Sequence, residues 1–473
     1  MRRYPLYILC LAALTACAVG PDYVKPRAVT ELPASFKELA GWKVTTPQDD
    51  RLQEKWWQRY NDQQLNDFEE RLTVSSQTIR QAEAQYHQAS ALVQSARAGY
   101  YPGASLGASA TRSRRSANAP GSSQSVSSGP VSDFQLPLSL AWEIDLWGRV
   151  RRTVEASEAT AAASADDLAG IRLSMQAALA ADYFQLRVLD TQKGVLDETV
   201  ANYQKFLELT RNRYQSGVAA KSDLLQAQTQ LKNAAAQAID LGLQRAQLEH
   251  AIAVLLGVPA SEFSLASNPI TEPPPAVPMI IPSELLEKRP DIAAAERRMA
   301  AANAQIGVAK AAYFPILTLS AAGGGESSSI ANWLAWPSRF WSVGPAVSEN
   351  LFDGGLRRSQ SEQAQAAYDA TVAAYRQTVL TAFQDVEDNL AALRILEAEA
   401  RVQDEADLAA VQTTAVIANQ YQAGIVGYLN VISAQTTALA NRKLSLSILE
   451  RRLVASVQLI KALGGGWQKE HEQ

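Results

Sequence analysis

Few side chains in this 473-residue chain are of a type that does chemistry. The imidazoles are His87, His250 and His471, far apart in the sequence, and the thiols are Cys10 and Cys17. One carboxylate cluster is "FQDVEDNL", with Asp385, Glu387 and Asp388. A metal centre needs three or four converging ligands, and this spacing offers none. Acid–base catalysis needs carboxylates held in a cleft with shifted pKa values. On a long helical stretch such a group reads as a solvated face. The chain is therefore expected to carry no metal, no cofactor and no enzymatic activity.

Cys17 is different. "MRRYPLYILCLAALTAC" opens with Arg2 and Arg3, continues with an apolar run from Leu6 to Leu14, and ends in small residues. That is the pattern of a secretory signal, too short to span a bilayer. "LTAC" resembles the bacterial lipobox, in which cleavage follows the residue before the cysteine and the cysteine receives lipid. Cleavage after Ala16 removes two arginines and takes the net charge from −4 to −6. It also removes Cys10, so the mature chain keeps no free thiol. Ala18 follows the cysteine rather than an aspartate, which favours the outer membrane over the inner.

The remaining sequence describes elements more than sites. Hydrophobic residues make up 47% and aromatic residues 7%. There is no dense basic stripe, so nucleic acid is not an expected partner. No proline falls between Pro137 and Pro259 or after Pro345. A proline costs about 3 kcal/mol inside a helix, so these are the stretches where long helices can form. Leu189, Leu196, Val200, Tyr203, Leu207 and Tyr214 form a heptad-like stripe in the first, and Val372, Tyr375, Val379, Val386, Leu390 and Leu393 in the second. A helix from Val150 to Arg213 would run about 96 Å, far beyond the ordinary globular helix.

Before each long stretch the period changes to two. In "DFQLPLSLAWEIDL", Phe134, Leu136, Leu138, Leu140, Trp142, Ile144 and Leu146 alternate with mostly polar or small residues, which predicts a strand with one apolar face. A weaker strand is predicted over Ala104–Ser113, reached through a Gly/Ser-rich loop. The second half offers Pro315–Ala322 and Phe340–Leu351, the latter with Trp341, Val343, Val347 and Leu351 on one face. Strands of this length with one apolar face suit a membrane barrel, although a soluble sheet packed on helices has the same alternation.

The whole unit occurs twice. "RYQSGVAAKSDLLQAQTQL" (213–231) and "QYQAGIVGYLNVISAQTTAL" (420–439) share Tyr-Gln-x-Gly at an offset of 207 residues (421 − 214). "SARAGYYP" matches "VAKAAYFP", and "DLWGRVRR" matches "NLFDGGLRR" with one extra residue. Each half reads helix, strand, loop, strand, very long helix, tight turn, returning helix. Four strands cannot close a barrel, and an open edge in lipid leaves backbone groups unpaired. Spanning strands would therefore belong to a barrel shared between chains.

With these features the sequence resembles the outer-membrane factor (TolC-like) family, and within it the NodT-like efflux lipoproteins. The resemblance rests on "CAVGPDYVKP", "KWWQRYNDQQL", "KRPDIAAAE", "AYFP", "LFDGG" and the two Tyr-Gln-x-Gly turns, and covers nearly the whole chain. It implies a mainly α fold with a membrane β part. Long helical hairpins would form an α-barrel, and three chains would supply four strands each to one 12-stranded β-barrel. It implies a homotrimer in the outer membrane, lipid-anchored at Cys17 and extending into the periplasm. It implies a periplasmic adaptor and an inner-membrane RND-type transporter as partners, with drugs or other small molecules passing outward. A duct for type I protein secretion, or a pore-free coiled-coil scaffold, is the alternative. The expected organisation is a signal peptide over 1–16, a lipidated segment over 17–60, a first repeat over 61–260, a Pro-rich equatorial linker over 261–282, a second repeat over 283–465 and a tail over 466–473.

The resemblance also gives roles to the two turns, as periplasmic hairpin tips. Gly217 and Gly424 suit helix ends, and Ser222 or Asp223 is placed to cap the returning helix. Asp223 matches a family aspartate that bonds a tyrosine of the other tip, matched here by Tyr421. Asn430 and Ser433 stand where the family places constricting aspartates, and Val426 where it places an arginine. An acidic-ring filter is thus not carried over, and the gate is expected to rest on packing by Leu224, Leu429 and Val431. Tyr214, Gly217, Leu224, Gly424 and Val431 are the expected adaptor-docking surface.

Overall fold

The computed structural model describes residues 18–28, 35–39, 55–114, 116, 129–277 and 289–466. Their helices are α1 (Gln63–Ser75), α2 (Gln77–Arg97), α3 (Arg149–Gln215), α4 (Lys221–Leu255), α5 (Pro290–Ala311), α6 (Leu356–Gln422) and α7 (Tyr428–Ala462). The strands are β1 (Gly103–Leu106), β2 (Ser109–Ser113), β3 (Val131–Ile144), β4 (Ile316–Ser327) and β5 (Arg339–Ser348). The repeat is kept residue for residue over the hairpins: α3 and α6 each have 67 residues, and α4 and α7 each have 35. Contacts divide the chain into two units. One gathers Met1–Pro26, Tyr86–Ser164 and Ala295–Tyr375, and the other Arg27–Gln85, Ala165–Ala294 and Arg376–Gln473.

The first unit holds the sheet. It is antiparallel throughout, with β3 and β4 central, β1 and β2 along one edge and β5 along the other. The strand expected over Ala104–Ser113 is two segments on one register, since Leu106 pairs with Leu138 and Ser109 with Gln135. The break falls opposite Pro137. Gly107 donates its N–H to the Pro137 carbonyl at 2.9 Å. Proline has no N–H to return the bond, so half of the hydrogen-bonded pair is missing. On the other side Pro137 pairs with Gly324, where a Cβ would fall 2.0 Å from the Leu136 carbonyl oxygen. Only glycine permits that approach. β5 ends at Ser348, so Leu351 falls outside the strand on which it was expected.

Register separates the faces. Phe134, Leu136, Leu138, Leu140, Trp142 and Ile144 share a face with Ala104, Leu106, Leu317, Leu319, Ala321, Trp341, Val343 and Val347. The opposite face carries Ser105, Gln135, Ser139, Glu143, Thr318, Ser320 and Ser342. The apolar face is not a core: Trp341 is 81% exposed.

Each 67-residue helix starts on an aspartate. Asp145 accepts from the N–H groups of Val150 and Arg151, both at 2.9 Å. Asp353 accepts from Gly355 at 2.9 Å and Arg357 at 3.3 Å. These carboxylates satisfy first-turn donors that have no intrahelical partner and sit at the positive end of the helix dipole. That is the physical content of the repeated "DLWG" and "LFDGG".

In the second unit "KWWQRYNDQQL" becomes a core and a cap. Trp56 and Trp57 are buried, and the Tyr60 ring lies 4.7 Å from that of Phe184. Asp62 caps α1 by accepting from Leu65 N–H at 3.1 Å, and also accepts from the Tyr183 hydroxyl at 2.7 Å. The linker after α4 is held by a buried carboxylate: Asp190 meets Arg245 at 2.8 Å and accepts from Asn268 N–H at 3.0 Å. Asp385 and Glu387 do more than face solvent. Asp385 accepts from Arg289 at 3.2 Å, and Glu387 accepts from the backbone N–H groups of Lys37 (2.7 Å) and Glu38 (3.0 Å).

Candidate functional site

The two Tyr-Gln-x-Gly turns, both within the second unit, meet at one end of the hairpins α3–α4 and α6–α7. Both turns close in the same way. Gly217 donates to the Tyr214 carbonyl at 3.0 Å and Val218 to Arg213 at 2.8 Å. Gly424 donates to Tyr421 at 3.0 Å and Ile425 to Gln420 at 2.9 Å. These are the paired bonds of a Schellman end, which requires a left-handed residue. Gly217 and Gly424 supply it at φ +75° and +78°.

Between the turns lies a closed core of Tyr203, Leu207, Ala227, Leu231, Tyr421 and Tyr428, with Leu224 and Val426 packed against it. Tyr421 is 2% exposed. The Thr210 hydroxyl donates to the Phe206 carbonyl at 2.8 Å, so at the 3.2 Å contact between Thr210 and Tyr421 the phenol is the donor. The Arg213 guanidinium lies 4.6 Å above the Tyr421 ring and donates to the Tyr421 carbonyl at 2.6 Å. That carbonyl is in the last turn of α6, where a cation is favoured by the helix dipole. The Tyr428 ring sits 5.6 Å from that of Tyr421. Burial pushes the Tyr428 phenol up to about 12, with neighbouring Tyr421, Tyr203 and Asp223 adding to the rise.

The expected residues divide into core and surface. Leu224 is half-buried against the cluster, and Val431 is fully within it. Val431 thus supports the tip from inside and cannot present itself to a docking partner in this conformation. Leu429 is the reverse: it was expected in the packing and is 68% exposed. Tyr214, the repeat-mate of Tyr421, is 40% exposed. Asn430 and Ser433 are exposed, and the Asn430 amide donates to the Gly427 carbonyl at 3.5 Å. The first residue before α4 is Ala220, with no side-chain cap, so neither Ser222 nor Asp223 caps that helix. Asp223 lies in its first turn, where the dipole favours a carboxylate. Among the described residues no hydrogen bond joins Asp223 to Tyr421, whose hydroxyl goes to Thr210.

Sequence reasoning missed Arg213, Thr210 and Tyr428. The repeat itself held the signal. At the 207-residue offset Arg213 faces Gln420, Thr210 faces Ile417 and Tyr428 faces Lys221.

Cys17 lies outside the described residues, but the residues after it are held in the first unit. Val19 N–H donates to the Trp147 carbonyl at 3.0 Å, and Asn303 to Pro21 at 2.9 Å. Asp22 pairs with Arg152 at 2.8 Å and Lys25 with Glu296 at 2.6 Å. Gly20 packs on Gly307 so closely that a Cβ would fall 2.5 Å from its Cα. Among the described residues no group of His, Cys, Asp or Glu could hold a metal ion, and no helix is long and apolar enough to cross a membrane.

The family model for outer membrane efflux proteins matches residues 70–258 and 281–465. The chain belongs to the outer membrane efflux protein family. The two matched segments of this efflux protein correspond to its two hairpin repeats. The toluene efflux pump outer membrane protein TtgF of Pseudomonas putida is 30% identical, over all of this chain and 99% of the relative. The pyoverdine export outer membrane protein OpmQ of Pseudomonas aeruginosa is also 30% identical, over all of this chain and 98% of its own length. The solved structure of the outer-membrane channel OprN superposes with a TM-score of 0.87 at 30% identity, covering 96% of this chain and all of that one. The efflux protein is thus an outer-membrane channel component, mainly helical with a smaller β part.

Proposed function

We propose that this efflux protein is the exit duct of a tripartite pump. Three copies share one barrel, Cys17 carries the lipid anchor, and the hairpin tips receive a periplasmic adaptor. An inner-membrane RND-type transporter supplies the energy, and the duct itself performs no catalysis. The observation that carries this reading is the two-faced sheet with two open edges. Its apolar face is exposed, its other face is mostly small or polar, and β1–β2 and β5 end the sheet on either side. In lipid an unpaired edge costs several kcal/mol per backbone group, so the edges call for strands from other copies. Four strand paths in each of three chains fit one closed barrel of ordinary size. The relatives named for toluene and for pyoverdine favour small molecules as cargo over secreted protein.

The tip supports the partner assignment. Val218, Leu225, Ile425 and Leu429 are exposed apolar residues beside the two turns. A photo-cross-linker at Val218 or Ile425 is expected to capture the adaptor in cells. Capture only from positions in the linker, with none from either tip, sinks the docking assignment.

A further inference from the structure

The hairpins of the two halves repeat closely, but the loops that join their strands do not. The loop between β2 and β3 is Ser/Gly-rich in sequence, whereas the loop between β4 and β5 reads "SSIANWLAWPS" (328–338) and has no charged residue. This second loop is built, with successive turns: Asn332 N–H to Ser329 carbonyl (3.2 Å), Ala335 to Asn332 (3.0 Å) and Ser338 to Ala335 (3.0 Å). The Ser338 hydroxyl closes it on the Asn332 carbonyl at 2.7 Å. It also folds back over one face of the sheet. A Cβ at Gly325 would fall 2.6 Å from the Trp333 carbonyl oxygen, and the Trp333 ring lies 6.4 Å from that of Phe134. Gly325 pairs with Leu136, so the covered face is the apolar one. Ile330, Leu334 and Trp336 are left exposed, at 66%, 72% and 76%.

The charges at this end of the sheet are sorted by face. Arg112 pairs with Ser132 and Arg339 with Gly325, which puts both arginines on the apolar face. Asp133 pairs with Thr111 and Glu326 with Gln135, which puts both acids on the other face. The Arg339 guanidinium stacks 4.1 Å from the Trp336 ring, fixed beside the exposed apolar side chains. A face that is apolar along its length and cationic only at one rim matches a lipid with acyl chains and a phosphate headgroup. This rim is the end of the sheet away from the helices, since β3 and β5 both run from it toward α3 and α6.

We propose that loop 328–338 with Arg339 and Arg112 is a binding site for a phosphorylated lipid of the outer leaflet, lipid A in chemical class. Its apolar side chains take the acyl chains, and the arginines take the phosphates. The proposal rests on the outer-membrane placement of the sheet, and its test leaves the channel reading free to stand or fall separately.

The full acylated protein is purified, exchanged with bisphosphoryl lipid A, dephosphorylated lipid A or phosphatidylcholine, and its retained lipid counted by native mass spectrometry. Wild type is expected to retain bisphosphoryl lipid A well above the other two. Each of Arg339→Gln and Arg112→Gln is expected to lower retention about fivefold. Leu334→Ser with Trp336→Ser is expected to lower it as well, while bilayer conductance stays at the wild-type value. Equal retention of phosphorylated and dephosphorylated lipid by wild type overturns the proposal, and this comparison needs no variant to fold. Unchanged retention in the arginine variants overturns it too.

Discussion

Replacing Arg213 with methionine removes a guanidinium and keeps an apolar stem. Two interactions go. One is the charge-assisted bond to the Tyr421 carbonyl at 2.6 Å, of a class that contributes about 1.5–3 kcal/mol. The other is the stack over the Tyr421 ring at 4.6 Å, of a class that contributes about 0.5–2 kcal/mol. Arg213 is half-exposed, so water recovers part of both. The net loss is then about 1–3 kcal/mol, and it falls on the contact between the turns rather than on the fold. By the tenfold-per-1.4 kcal/mol rule, amides at 421–428 should exchange about 5–150 times faster in hydrogen–deuterium exchange. Amides of the α1 region should be unchanged. If the tip is the gate, the same variant should raise single-channel conductance or open probability. A folded Arg213→Met protein with wild-type exchange at both turns would refute the idea that this arginine clasps them.

Three further outcomes follow from the same structure. Tyr428 has its phenol held up at about 12 by burial, so its neutral form stabilises the tip fully below the ordinary value near 10, and that contribution is lost as pH rises through about 12. Tyr428→Phe should therefore delete a late phenolate transition from an ultraviolet titration; loss of an ordinary transition near 10 instead contradicts the burial. Glu69 is fully buried in the apolar stripe of α1, neither of its oxygens has a hydrogen-bond partner among the described residues, and burial raises its pKa well above the usual range. Its stability cost grows as pH rises above the unfolded carboxylate value, so Glu69→Leu should raise stability at pH 7 by about 1–3 kcal/mol, read as thermal midpoint. A lowered midpoint would mean that the carboxylate is used. Gly324→Val puts a Cβ against the Leu136 carbonyl, and heat-modifiable folded barrel should vanish from gels; normal barrel yield contradicts the close strand approach.

Elements that depend on local pattern were legible in the sequence. Period-two alternation located β3, proline-free heptads located α3 and α6, and Gly217 and Gly424 marked their ends. The offset of 207 residues carried through to equal helix lengths. Partners distant in the sequence were not legible. Arg213 reaches Tyr421, and Glu387 reaches the backbone at Lys37, across more than 200 residues that no period encodes. The same holds for exposure: Leu429 and Val431 are both apolar and two residues apart, and only the packing of the second hairpin decides that Val431 is inside. The break between β1 and β2 was legible in principle, since Pro137 interrupts a central strand, but the residue it faces depends on register.

Closure of one conducting barrel by several copies of this chain can be measured directly. Full acylated protein, purified in detergent, can be sized by native mass spectrometry and added to a planar bilayer in the same preparation. A species of three mature chains carrying lipid at Cys17 is expected, with discrete ion-conducting steps that increase in Arg213→Met. A folded monomer, or a trimer that never conducts in either form, would contradict it.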